Sequence, residues 1–140
     1  MSSGLVVDAS VSAAWFLADE ADEFTDAILQ ATVRGDVWVP ALWMLEIGNL
    51  LLVAQRRRRI DDEGRRELVA CAAGLRLRVD REPVAMTDLD ALAHRYGLSA
   101  YDAAYLELAL RRELPLATRD AALMRAAQAS GVRLAQAQGD

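Results

Sequence analysis

The 140-residue chain contains no lysine; all 16 of its basic side chains are arginine. Chemistry that needs an ε-amine, such as Schiff-base formation or a P-loop, is therefore excluded. Histidine and cysteine occur once each, as His94 and Cys71. A lone cysteine forms no internal disulfide, and one residue of each kind is too few for a closed zinc site. Cys71 reads as a small core residue and His94 as an exposed helical one. No window approaches the ~18–20 uninterrupted apolar residues of a membrane span. The opening MSSGLVVDAS lacks the basic start and apolar run of a secretory signal. These absences predict a cytoplasmic protein. The formal net charge is −5. Coating nucleic acid by bulk charge is thus not expected, whereas local handling through metal ions stays open.

What is present is a hydrophobic fraction of 54%. A chain of this length suits one domain, residues 1–140, burying roughly 68–70% of its unfolded surface. LVVDA (5–9), DVWVP (36–40), LRLRV (75–79), LPLAT (114–118) and VRLA (132–135) read as short strands. Helical segments lie between them: one from Ser10, one ending at Gly35, then 41–59, 61–74, 84–96, a helix capped by Ser99, and one stopping at Gly131. The last four residues, AQGD, read as frayed. Strict alternation predicts an α/β domain with about five short parallel strands and helices on both faces.

In such a sheet, strand carboxyl ends and helix amino ends share one edge, and ligands bind there. Four acidic residues from four segments reach that edge. Asp8 ends the first strand. Asp120 follows the fourth. Asp102 lies in the first turn of its helix, and Glu46 about a turn and a half into the helix after the second strand. Each aspartate also fits a helix-capping role. Glu46 does not: from Ala41 to Ala54 only Glu46 and Asn49 are polar, three apart on one face of a segment that looks buried on several sides. A buried carboxylate is costly unless paired, hydrogen-bonded or bound to metal, and this helix offers no cation before Arg56. A divalent cation is the simplest thing that makes four clustered carboxylates favourable. All-oxygen donors favour Mg²⁺ or Mn²⁺ over zinc. Such an ion lowers the pKa of water and offsets charge on a leaving oxygen, which suits phosphodiester hydrolysis.

These segments resemble the PIN domain, and within it the small VapC-type toxins of bacterial toxin–antitoxin pairs. VVDASV carries Asp8, LEIGNLL carries Glu46 and Asn49, LSAYDAAYLELA carries Asp102, and LATRDAAL carries Thr118 and Asp120. The resemblance covers nearly the whole chain, with all four motifs in order. It implies a PIN-like three-layer fold and an endoribonuclease cleaving RNA with Mg²⁺ or Mn²⁺ held by Asp8, Glu46, Asp102 and Asp120. Ser10 and Thr118 match hydroxyl positions that support the acidic cluster. A homodimer and a cognate antitoxin that blocks the site are also implied. Ala121 and Ala122 follow Asp120 where some relatives carry further polar residues.

Other readings compete. A PIN-type nuclease in RNA processing has the same residue chemistry. An inert PIN scaffold would keep four repelling charges for no gain. A signalling receiver domain wants a lysine and paired acids at the first strand; this chain has no lysine, and Val7 precedes Asp8. Arg56–Arg59 invites an RNA-binding reading. It begins ten residues beyond Glu46, roughly 15 Å along the helix, and fits a solvated helix end better. Arg119, between Thr118 and Asp120, is a candidate for touching substrate. Trp15, Phe16, Leu17, Trp43 and Met44 read as core, with any exposed subset of them a candidate groove for an antitoxin segment.

Overall fold

The computed structural model describes residues 4–136. The predicted fray at 137–140 lies outside them. Four parallel strands form one sheet: β1 (Leu5–Val7), β2 (Val37–Pro40), β3 (Leu77–Asp80) and β4 (Leu116–Ala117), in the spatial order β3-β2-β1-β4. Seven α-helices are described: α1 (Ala9–Ser12), α2 (Glu23–Val33), α3 (Leu42–Arg56), α4 (Asp62–Ala73), α5 (Met86–Tyr96), α6 (Ala100–Arg112) and α7 (Ala121–Ser130). All three β1 residues are buried. A strand buried at every position needs cover on both faces, which the flanking helices supply.

The expected fifth strand is a single bridge. Leu134 pairs in parallel with Leu116, and the Leu116 N–H and the Ala135 N–H bond across to Arg133 and Leu116 carbonyls. The chain leaves α7 only at Gly131, whose left-handed φ of 84° ends the helix. Too few residues then lie alongside β4, itself two residues long, for a fuller ladder. The expected helix from Ser10 is also broken. It stops after Ser12 and continues as 3₁₀ turns at Ala13–Trp15 and Ala18–Glu20.

The core gathers Val6, Val7, Val11, Val37, Val39, Trp43, Ile47, Leu51, Tyr105, Leu106 and Leu123. Phe16 and Leu17 are buried as expected, and Trp15 is partly so, with its indole N–H on the Thr25 carbonyl. Met44 is not core; it is 47% exposed. Nor is α3 buried on several sides, because Leu45 and Leu52 are exposed as well. The apolar run wraps the whole helix, yet only the Trp43–Ile47–Leu51–Ala54 stripe meets the sheet. Cys71 is exposed too, since α4 buries none of its residues.

A buried ionic cluster ties α6 to the end of β3. Asp80, 6% exposed, accepts from both Arg111 and Arg112. Arg111 also bonds Glu107 and Glu82, and the Arg112 guanidinium lies 3.9 Å from the Trp38 ring centre. No helix among the described residues is long and apolar enough to cross a membrane.

Candidate active site

The strand order places a topological switch point between β1 and β4. From β1 the chain adds β2 and β3 on one side, then returns to add β4 on the other. Crossover helices diverge there and leave a crevice at the strand carboxyl ends. Asp8 follows β1, and Thr118 and Asp120 follow β4, at that crevice.

Asp8 is 2% exposed. Its Oδ1 accepts from Ser10 Oγ at 2.7 Å and from the Val11 N–H at 3.1 Å, so it also caps α1. Its Oδ2 accepts from Thr118 Oγ1. Each hydroxyl accepts in turn: Ser10 Oγ from the Arg119 N–H at 2.9 Å, Thr118 Oγ1 from the Asp120 N–H at 3.0 Å. Two strand ends are thus joined through one carboxylate. Of roughly four lone-pair sites on a carboxylate, three are used here, and one on Oδ2 is left.

Asp120 caps α7, its Oδ2 accepting from the Leu123 N–H at 2.9 Å. Ser99 caps α6 by accepting from the Asp102 N–H at 3.0 Å, but no return bond from Asp102 to the Ser99 N–H completes a capping box. Glu46 is half-buried and accepts at Oε1 from the Tyr105 hydroxyl at 2.5 Å. Asn49 lies one turn on, exposed, and lines the same cleft as Glu46.

The charges feel one another. Burial raises the Asp8 carboxyl above its ordinary value; the Thr118, Ser10 and Val11 bonds oppose that, and Asp102 adds to it. Burial also raises Glu46, against the pull of the Tyr105 bond, and Asp102 and Asp8 raise it further. Asp102 is raised by burial and by the negative Asp120. The four predicted carboxylates therefore form one electrostatic cluster.

A PIN domain family model matches residues 5–129. The chain belongs to the PIN domain family. PIN domains are in general nucleases that use divalent metals. Among solved structures, PAE2754 from Pyrobaculum aerophilum is 23% identical, with a TM-score of 0.65 over 90% of this chain and 87% of its own. FitAcB from Neisseria gonorrhoeae is 20% identical, with a TM-score of 0.64 over 95% and 97%. A toxin–antitoxin complex from Klebsiella pneumoniae is 16% identical, with a TM-score of 0.53 over 84% and 87%. At these identities the likeness is one of fold. No similar sequence was found among curated proteins.

The donor set of this PIN site suits a hard cation. Every donor is oxygen, and Asp8 Oδ2, Glu46 Oε2 and Asp120 Oδ1 retain lone pairs beyond the bonds described. No three His, Cys, Asp or Glu side chains among the described residues close into a ready cage. An open acidic crevice of this kind fits Mg²⁺, which keeps several waters and takes only one or two carboxylates directly.

Tyr105 and Ser12 are functional neighbours that the sequence reading passed over. Tyr105 is 1% exposed, and burial together with Glu46 pushes its hydroxyl far above the ordinary range, so it stays a donor. In sequence it is one more apolar-face residue three positions after Asp102. Ser12 Oγ donates to the Asp8 carbonyl and accepts from the Trp43 indole N–H, fixing the start of α1 against α3. Its spacing of four from Asp8 was the available signal. Arg119, by contrast, is not free to grip substrate. Its guanidinium bonds the Ser10 and Glu20 carbonyls and Asp22, stapling the loop after β4 to the start of the chain. In the arginine run, Arg59 pairs with Asp19 and Glu20, and Arg56, Arg57 and Arg58 are exposed.

Proposed function

We propose that this chain is a Mg²⁺- or Mn²⁺-dependent endoribonuclease acting as the toxin of a toxin–antitoxin pair. The observation that supports the reading is the mutual electrostatic coupling of four carboxylates, two of which, Asp8 and Asp120, lie at the β1–β4 switch point. In this reading Asp8, Glu46, Asp102 and Asp120 hold the metal, and Ser10, Thr118 and Asn49 support them. The protein works as a single-domain chain in the cytoplasm, as a homodimer, restrained by a cognate antitoxin. The Klebsiella pneumoniae neighbour, described as a toxin–antitoxin complex, supports an antitoxin partner at the level of fold.

When bound, the cation lowers the pKa of water and offsets charge on the leaving oxygen. The chain supplies the remaining steps. Ser10 and Thr118 donate to Asp8, oppose the rise in its pKa that burial causes, and leave one lone pair on Oδ2 free. Tyr105 pins Glu46 at Oε1. Glu46 Oε2 is then the oxygen this carboxylate would offer to the metal. The one histidine, His94, is exposed on α5 and lines a different cleft. Proton transfer therefore falls to carboxylates.

The test is Mn²⁺-dependent cleavage of a labelled structured RNA by wild type beside Asp102→Asn, with circular dichroism on both. Cleavage by wild type and none by the folded variant is expected. Equal cleavage by both would reduce Asp102 to a helix-end residue and defeat the proposal.

A further inference from the structure

We propose that the cleft beside Glu46 is a nucleobase subsite, in which Tyr101 stacks a base of single-stranded RNA and Asn49 reads that base's edge. The inference rests on the ribonuclease reading above and adds how the substrate is gripped. The cleft has a volume of about 390 Å³ and is lined by Leu42, Leu45, Glu46, Asn49 and Tyr101. Its size is within the range of small-ligand pockets. Tyr101 immediately precedes Asp102 in the first turn of α6, and Asn49 follows Glu46 by one turn of α3. The cleft is thus lined by one of the four carboxylates, Glu46, and by the residue that precedes a second, Asp102.

Two observations favour a base over a phosphate. First, no cation lines the cleft. Arg119, adjacent to the cluster in sequence, is committed to two carbonyls and Asp22. Arg56–Arg58 lie at the opposite end of α3 from its amino terminus. Whatever the metal does for the scissile phosphate, the part of the RNA in this cleft is gripped through contacts that carry no positive charge. Second, the surface offered is planar and apolar: Tyr101 is 65% exposed and Leu45 77% exposed. Every base has a π-face, and stacking on an aromatic side chain is the usual grip on unpaired bases. The exposed Asn49 amide offers both a donor and an acceptor to a base edge. Bases in a duplex are stacked on each other, so the occupant is a single-stranded segment flanking the scissile phosphate.

The test is steady-state cleavage of a single-stranded RNA oligonucleotide in Mn²⁺ by wild type, Tyr101→Ala, Tyr101→Phe and Asn49→Ala. Tyr101→Ala is expected to raise KM about 5- to 150-fold, the loss of one stacked base. Tyr101→Phe keeps the ring and recovers most of that loss. Sequencing of product ends should show a base preference at one flanking position that flattens in Asn49→Ala. The Mn²⁺-induced rise in Tm should be the same in wild type, Tyr101→Ala and Tyr101→Phe, which separates substrate grip from damage to the metal site. A Tyr101→Ala KM within about twofold of wild type overturns the subsite while leaving the nuclease reading intact. Conversion of a wild-type dimer to a monomer by Tyr101→Ala, read by sedimentation, also overturns it, because a second copy then covers the ring. A wild type that neither cleaves nor binds RNA overturns the ribonuclease reading and the subsite with it.

Discussion

Replacing Tyr105 by phenylalanine removes one oxygen from a fully buried ring and leaves Glu46 Oε1 without its donor. A hydrogen bond to a charged group contributes ~1.5–3 kcal/mol. Glu46 is only half-buried, so water partly replaces the lost donor, and the lower end, about 1.5 kcal/mol, is the expected cost. For a chain of this size that lowers Tm by about 3–6 °C. The pH dependence has a definite sign. Burial already holds the Glu46 carboxyl above its ordinary 4.5, and the Tyr105 bond opposes the rise. Losing the bond lifts it further. A group raised in the folded state contributes its stability below the unfolded value and loses it as pH climbs through the folded one. The penalty of Tyr105→Phe should therefore be small below pH 4.5 and complete at neutral pH. Urea titrations in metal-free buffer at the two pH values, with Glu46→Ala closing a double-mutant cycle, give the answer. A coupling of about 1 kcal/mol at neutral pH is expected; a coupling within ~0.3 kcal/mol of zero, or a penalty equal at both pH values, would refute the reasoning.

The acidic cluster is costly without metal, so Asp102→Asn should raise Tm at pH 7 in chelator while abolishing cleavage; a lowered Tm contradicts the electrostatic account. Mg²⁺ or Mn²⁺ at about 100 times its Kd should stabilise wild type by ~2.7 kcal/mol, measured by thermal scanning, and should act much less on Asp8→Asn. Asp80→Asn strips two arginines of a buried partner, but both keep other contacts and are about 30% exposed, so ~2 kcal/mol is the expected cost in a urea titration. Arg111 and Arg112 hold the Asp80 carboxyl below its ordinary 3.8, so this contribution is present above that value and disappears as pH falls through the folded one. Substituting Arg56, Arg57 and Arg58 by alanine together should leave metal-dependent cleavage within about twofold of wild type, as expected of exposed helix-end residues; a larger loss would move the run into the substrate path.

Asp8 and Asp120 were legible because each marks a change of period, from a short apolar strand to a helix, and such changes locate the sheet edge. Glu46 was legible as the one acid in a long apolar helix. Its burial is nevertheless smaller than the apolar composition implies: α3 exposes Leu45 and Leu52, and Glu46 is only half-buried. Apolar composition showed that a helix would pack, but not how much of its circumference would. The same blindness put Met44 and Cys71 in the core. Tyr105 escaped because a buried tyrosine and a buried leucine look alike at helical spacing; the difference is where the hydroxyl ends, which only the folded approach of Tyr105 to Glu46 decides. Arg119 stood beside two site residues in sequence, yet its side chain turns back to the Glu20 and Ser10 carbonyls. The stub at 132–135 was legible as extended chain, while the extent of its pairing depended on how short β4 is.

The bond between Asp8 and Thr118 spans 110 positions of sequence. During synthesis Asp8 emerges early, whereas Thr118 and Asp120 emerge after most of the chain has been made. Until they do, Asp8 lacks the donor at its inner oxygen and the crevice has only one wall. A ribosome-bound or prematurely ended chain that stops short of Thr118 therefore carries no assembled centre, however well its first three strands have folded. Under the proposed activity, a chain that ends before Thr118 is expected to leave RNA uncut.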